Sequence, residues 1–588
     1  MGTSARLYQT YIRRKWYLLA VGGVILAAAE TAINVYLPQL SKAMVDAVVG
    51  NADLQSVGPA LSYMSLLYIA FGLIRAVVVF FEIYLIEMAA ESVAMFLRHD
   101  LYDKVQHLSF AYHNKARTGD LMSRMTSDVQ AIRELCGFGL SILLYNLFII
   151  LAVVGWMVMY NPAYALASLF AMPLLLVFAV KYSQRSGPVF ESIQDQLASM
   201  TTVVQESVSG IRVVKSFAQE DQERERFGKV NGAVLEKNLT AARLDAFYRP
   251  AMDFCASLGT IGVIWYGGHL YNSGALTAGD ITAFLSYVWM LIWPVRSIAL
   301  VISVFQRGIA GARRVFEILD SREQLVNRPG AEPIGKISGH IQFRNVSFSY
   351  DSGEKVLDDF SLDIPAGTTV GILGITGSGK STIGALIPRF HDVDSGAILI
   401  DGKDIRDVDL ESLRRQVGIV PQDTFLFSAT IRENIAYYKP DIELERVIEA
   451  AKAAQIHDFI QSLPQGYDTI VGERGVGLSG GQRQRVAIAR ALVMDPKILI
   501  LDDSTASVDA ETESLIQESL REIAKGRTTI IISQKVSSVR YADKIVVLGN
   551  GKIVEQGTHD ELYSMGGFYR QLCDIQAAGG SFEKGMMD

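Results

Sequence analysis

The feature that most constrains this chain is a set of apolar stretches, each about 20 residues long, crowded into its first 300 or so positions. A helix needs about that length to cross the hydrocarbon core of a bilayer. Six stretches reach it, at 16–37, 60–87, 138–160, 163–182, 251–271 and 280–304. Half of the 588 residues are hydrophobic and mean hydropathy is +0.23, yet the apolar excess does not continue past the sixth stretch. The remainder reads as an ordinary soluble α/β protein. One membrane half followed by one soluble half is the simplest organisation, and a purely soluble enzyme is excluded.

Basic residues set the expected orientation. Arg13, Arg14 and Lys15 precede the first span, and Arg98, Lys104, Lys115, Arg117 and Arg124 fill the connection between spans two and three. Lys181, Arg185, Arg212, Lys215, Arg224 and Arg226 lie between spans four and five, and Arg307, Arg313 and Arg314 follow span six. All fall on one side, so both termini are expected in the cytoplasm of a bacterial-type inner membrane. The first stretch is too long for a cleavable signal and is expected to stay as a span. The two cytoplasmic connections are too long for turns and carry apolar residues at helical spacing, so spans two to five are expected to continue as helices below the membrane. The domains read as 1–326 (membrane), 327–340 (linker), 341–575 (soluble) and 576–588 (tail).

Charges inside spans are costly and default to functional candidates. Glu30, Arg75, Glu82 and Arg296 are the notable ones. Arg75 and Glu82 are seven apart, share a helix face, and read equally as a structural pair or as part of a substrate cavity. The net charge of −7, with no basic block, gives no footprint for nucleic acid. Cys136, Cys255 and Cys573 show neither metal-ligand spacing nor a disulfide framework.

The soluble half carries the chemistry. A strand at 369–373 runs into Gly374-Ile375-Thr376-Gly377-Ser378-Gly379-Lys380-Ser381, and Thr382 continues as a helix. This is a P-loop in strand–loop–helix context: its glycines admit phosphates to backbone amides, Lys380 reaches the β- and γ-phosphates, and the Ser381 hydroxyl serves Mg²⁺. The run 497–502 is an apolar strand ending in Asp502, a second Mg²⁺ candidate facing the P-loop. Between them, Leu478 is followed by Ser479, Gly480, Gly481 and Gln482 at the start of a helical segment.

That last run resembles the signature motif of ATP-binding-cassette (ABC) transporters, and the resemblance covers nearly the whole chain. It implies a type I exporter: a six-span helical membrane domain followed by an α/β P-loop nucleotide-binding domain, working by alternating access. Tyr350 resembles the aromatic that stacks on adenine, and Gln422 the glutamine that contacts Mg²⁺ and relays nucleotide state. The run 472–475 resembles the cross-talk loop, and Asp509 the loop linking the two nucleotide sites. Segments 111–119 and 210–221 occupy the positions of coupling helices, with Tyr112 and Phe217 as candidate docking rings. In this family a signature completes the ATP site of the opposing cassette, so one chain is half a transporter. The cofactors implied are ATP and Mg²⁺; the partners are a second half-transporter, membrane lipid and a small amphipathic substrate.

Two positions depart from the family pattern. Asp503 stands where a glutamate usually polarises the attacking water, and Gln534 where a histidine usually contacts the γ-phosphate. The shorter carboxylate draws back from the water, and an amide cannot exchange protons as imidazole does. Both changes are expected to slow hydrolysis without weakening ATP binding. With the signature intact, the pattern resembles the degenerate subunit of heterodimeric multidrug exporters. The alternatives are a homodimeric lipid or glycolipid flippase, and a nucleotide-gated channel or regulatory subunit.

Overall fold

The computed structural model describes residues 17–50, 54–321, 325–350, 353–472, 475, 477–503 and 521–577. Asp509, and Glu473 and Arg474 of the expected cross-talk loop, lie outside the described residues. The chain divides into two compact units, Met1–Gln106 with Thr118–Ser321, and His107–Arg117 with Arg322–Asp588.

The first unit is helical. Its elements are α1 (Tyr17–Val49) and α2 (Leu54–His107), then, beyond the short α3 (Phe110–Lys115) of the second unit, a helical segment α4 (Thr118–Tyr160). There follow α5 (Pro162–Leu169), α6 (Met172–Ser209), α7 (Ile211–Ser216), α8 (Glu220–Asn272) and α9 (Ala278–Leu319). At 1.5 Å per residue, the 54 residues of α2 and 53 of α8 make rods of roughly 80 Å, far longer than a hydrocarbon core of about 30 Å. The helical continuation expected beyond the spans is therefore present.

Among the described residues, five segments are long and apolar enough to cross a membrane, in α1, α2, α4, α5–α6 and α9. The sixth expected stretch, 251–271, is helical within α8 but falls short in apolarity. Glycines replace bulky side chains there because neighbouring chain comes close. A Cβ at Gly259 would stand 3.3 Å from the Ser168 carbonyl oxygen, one at Gly262 3.0 Å from the Phe170 ring, and one at Gly267 2.5 Å from the Tyr164 hydroxyl. Membrane helices that pack by small residues give up hydropathy for close approach.

Two π-helical turns, Arg124–Asp128 and Leu135–Gly139, interrupt α4 where α9 crosses it. A Cβ at Gly308 would meet that of Leu135 at 2.5 Å, and one at Gly311 the Asp128 carbonyl oxygen at 2.9 Å. Arg314 Nε and Nη2 donate to the buried Asp128 carboxylate at 2.8 and 2.5 Å, fixing the crossing. Within the spans, Arg75 is bonded to Glu30 of α1 at 3.3 Å. Glu82 lies about 10.5 Å farther along α2 and takes a hydrogen bond from Ser141, so of the two even readings the structural pair of Arg75 with Glu82 is not formed, and Arg75 pairs across helices instead. Arg296 bonds Asp253 of α8.

Among its described residues the second unit holds two sheets. An antiparallel sheet has the order β2-β1-β4-β5, from β1 (Ile341–Ser349), β2 (Lys355–Ile364), β4 (Ser395–Ile400) and β5 (Lys403–Asp404). A mostly parallel sheet has the order β10-β9-β3-β8-β7-β6. Its strands are β3 (Thr369–Gly374), β6 (Val417–Val420), β7 (Ile498–Asp502), β8 (Thr528–Ser533), β9 (Lys544–Gly549) and β10 (Lys552–Gly557). The continuous apolar runs of β3 and β7 are buried, as central parallel strands require. One core joins both sheets to the helix after β3, α10 (Lys380–Leu386). A second packs α11 (Gly480–Leu492) and its neighbouring helices on β6 and β7.

The chain enters this unit through a clamp. Asp401 accepts from the Ser338 amide and hydroxyl at 2.6 Å and from the His340 amide at 2.9 Å. Burial pushes this carboxyl up, but those hydrogen bonds outweigh it and hold it below the usual value.

Candidate nucleotide site

Strand order places the candidate residues. β3, β8 and β7 are parallel neighbours, with Leu373 beside Ser533 and Asp502 beside Ile532. Their carboxyl ends bring the P-loop, Ser533–Gln534 and Asp502–Asp503 to one edge, where open α/β sheets bind ligands. Gln422 lies two residues past β6, the next strand of the same sheet, and is exposed.

The P-loop conformation depends on glycine at two points. Gly377 and Gly379 have φ of +84° and +99°, and a Cβ at Gly379 would also stand 3.0 Å from the Val356 carbonyl oxygen. Inside the turn, the Ser378 hydroxyl is buried and has no partner among the described residues. Lys380 Nζ folds back to donate to the Ile375 carbonyl oxygen at 2.6 Å. Burial draws the Lys380 ammonium below its usual value, opposed by Asp503 and Asp502. A buried cation resting on a backbone carbonyl, beside a buried hydroxyl without a partner, fits a polyanion that would engage both.

Ser381 Oγ donates to Asp502 Oδ1 at 3.2 Å, joining the two expected Mg²⁺ ligands. Burial pushes the Asp502 carboxyl up, and the adjoining Asp503 carboxylate adds to it. A hard divalent cation would favour the ionised form, so this oxygen pair has the chemistry of a Mg²⁺ site. Asp503 itself is held by its amide, which donates to the Ile532 carbonyl oxygen at 2.8 Å, and by Ser533 Oγ, which donates to Oδ1 at 3.3 Å. Its φ is +41°, uncommon for a residue other than glycine. Thr376 Oγ1 donates to Gln534 Oε1 at 3.5 Å. Tyr350 sits beside the P-loop helix, its hydroxyl 3.2 Å from Thr382 Oγ1 and its ring edge-on to His391 at 5.4 Å.

The signature residues stand on the second core. Ser479 caps α11: its hydroxyl accepts from the Gln482 amide at 3.3 Å, and its own amide donates to Gln482 Oε1 at 2.8 Å. The reciprocal cap closes on itself and leaves Ser479 exposed and Gly480 half-buried, with Gly481 buried beneath.

The sequence reading missed Arg490. From α11 it donates to the Asn434 carbonyl oxygen at 2.7 Å, the Phe425 carbonyl oxygen at 2.9 Å and Asn434 Oδ1 at 2.9 Å. It thereby ties the signature helix to the loop that follows Gln422. It also missed Phe110: α3 clusters with the second unit, and the Phe110 ring stacks on Phe390 at 4.2 Å, with Arg414 on the same ring at 5.3 Å. Phe217 is exposed.

Residues 20–295 match the family model described as ABC transporter transmembrane region, and 357–506 match that described as ABC transporter. An ABC transporter ATP-binding protein of Bacillus subtilis, YknU, is 39% identical over 562 residues, covering 95% of this chain and 94% of its own. An ATP-dependent lipid A-core flippase of Syntrophus aciditrophicus is also 39% identical, over 95% of this chain and 92% of its own. A putative multidrug export ATP-binding/permease protein of Bacillus subtilis, YgaD, is 39% identical over 94% and 96%. Among solved structures, a bacterial Atm1-family ABC exporter with ATP bound superposes with a TM-score of 0.80 at 30% identity, over 97% of this chain and all of that one.

Proposed function

The chain belongs to the ABC transporters, of the exporter type, and from that premise we propose that it is the slow-site half of a two-chain pump for amphipathic compounds. As a family member it is an integral membrane protein that couples ATP hydrolysis to export as one half of a dimer of half-transporters. The heterodimer, the slow site and the residue roles that follow are our reading.

The observation that carries it is a mismatch within one cassette. The signature retains its full Ser479–Gln482 cap, whereas the positions that act on the attacking water hold Asp503 and Gln534. Lys380 binds the β- and γ-phosphates, Ser378 and the P-loop amides cradle them, and Tyr350 supports adenine. Ser381, Asp502 and Gln422 would hold Mg²⁺, which would supply positive charge against the phosphates. Asp503, drawn back by one methylene and bonded by Ser533, orients water poorly, and Gln534 donates to the γ-phosphate without supplying positive charge. Nucleotide therefore binds well here and turns over slowly. Ser479 and Gly481 complete the faster site of a partner that carries the glutamate and the histidine. The membrane is a bacterial-type inner membrane with both termini inside.

The cargo class follows the relatives, whose names speak of multidrug export and of a lipid A-core flippase. The flippase relative supports a second reading, a homodimer moving lipid. Purifying the tagged chain from its own membrane, with native mass and turnover measured together, tests both. A particle of this chain plus a different half-transporter is expected; two identical chains with brisk turnover would overturn the heterodimer.

A further inference from the structure

One corner of the nucleotide site is built from aromatic rings. Tyr350, just past β1, is 37% exposed, and its hydroxyl lies 3.2 Å from Thr382 Oγ1 of α10. Phe348, buried in β1, meets the Tyr350 ring nearly perpendicular at 4.9 Å. His391 meets it at 5.4 Å, also nearly perpendicular, and lies 5.5 Å from Phe348. The centroids form an almost even triangle, so both neighbours stand to one side of Tyr350 and its exposure falls on the other.

A tyrosine side chain in solvent must settle its torsions before it can stack, and that ordering costs affinity unless the protein has fixed them beforehand. Edge-to-face contacts at these spacings supply such fixing. Phe348 belongs to the same stretch of chain as Tyr350 and moves with it; His391 arrives from a separate loop. That loop is pinned on both flanks of the imidazole. The Phe390 amide donates to the Ala385 carbonyl oxygen at 3.0 Å, and Arg389 Nε and Nη2 donate to Asp392 at 2.7 and 3.1 Å. Arg414 Nε and Nη2 donate to the Pro388 and Arg389 carbonyl oxygens at 3.2 and 3.1 Å. The place of His391 is therefore set by the framework of the cassette. Half-buried and polar, it adds little to the apolar core; what it gives is a fixed wall for Tyr350.

We propose that His391 is a positioning residue of the nucleotide site: it braces Tyr350 in the plane in which that ring stacks on adenine. Its effect passes through Tyr350, so it reaches only ligands that carry a base. The proposal rests on the reading above that Tyr350 supports adenine, and the experiment tells the failure of one from the failure of the other.

The test is equilibrium binding of ATP, beside inorganic tripolyphosphate, which has no base, to the full chain in lipid nanodiscs without magnesium, so that nothing is hydrolysed. His391→Leu should weaken ATP by about threefold to tenfold and leave tripolyphosphate within about twofold of native. His391→Phe, which keeps a flat ring, should recover native ATP affinity to within about twofold. Tyr350→Leu should weaken ATP as well, and adding His391→Leu to it should cost little more, because the two residues act as one unit. Native ATP affinity in His391→Leu, equal loss of both probes, no recovery in His391→Phe, or losses that add in full overturns the proposal. Native ATP affinity in Tyr350→Leu overturns the adenine reading and the proposal with it. If His391→Leu does not fold, His391→Asn takes its place and is judged by the same outcomes.

Discussion

If Asp503 and Gln534 slow the site, lengthening one and recharging the other should speed it. In the native chain Asp503 is anchored twice, by its amide on the Ile532 carbonyl oxygen at 2.8 Å and by Ser533 Oγ on its carboxylate at 3.3 Å. These bonds keep the backbone fixed, so the reach of the carboxylate is set by side-chain length. Glutamate adds one carbon–carbon bond of about 1.5 Å. Misplacing a reacting group by about 1 Å can cost 10²-fold, or about 2.7 kcal/mol. Asp503→Glu with Gln534→His should therefore raise Mg-ATP turnover of the purified chain in nanodiscs by about 10²-fold. ATP affinity should stay within about threefold, or about 0.7 kcal/mol, since Lys380 and the P-loop are untouched. Adding Lys380→Ala should abolish the gain. Turnover within about twofold of native, with ATP binding intact, refutes the assignment of these two residues as the brake.

Three further outcomes follow from other contacts. Lys380→Ala alone should lower ATP affinity by tenfold or more in a fluorescent-nucleotide titration (about 1.4 kcal/mol) and impair transport by the assembled dimer. Arg490→Lys keeps the charge but loses the fork that grips Asn434 and Phe425; it should cost about 2–3 kcal/mol in cassette stability, seen as a lower melting midpoint. Asp401 is held below the usual carboxylate value, so its contribution is full above the unfolded value and lost as pH falls through the folded one. Asp401→Asn should destabilise the cassette at neutral pH by about 1–3 kcal/mol and flatten that acid limb, measured by thermal unfolding across pH.

Local pattern carried the nucleotide motifs into view because strand, loop and helix are contiguous from Thr369 to Leu386. Strand order then brings Asp502, Asp503 and Gln534, over 100 residues away, to the same edge. Long helices were legible from length and period alone. What stayed hidden depends on neighbours remote in sequence. Arg490 looks like any arginine on an amphipathic helix until Asn434 and Phe425 fold against it. Arg75 and Glu82 share a face at a spacing of seven, but Glu30 arrives from another helix and takes the guanidinium. The stretch 251–271 is a weaker hydropathy signal because Gly259, Gly262 and Gly267 serve contacts with 164–170 that no linear window sees.

The backbone at Asp503 has a consequence beyond rate. Its φ of +41° lies on the left-handed side, where aspartate is among the better tolerated side chains and longer ones carry strain of order 1–3 kcal/mol. A glutamate there would gain reach and lose conformational ease, so the faster variant should also melt earlier. Selection for turnover and selection for a durable fold thus pull one dihedral in opposite directions. A chain relieved of hydrolysis by its partner is free to drift toward the comfortable residue.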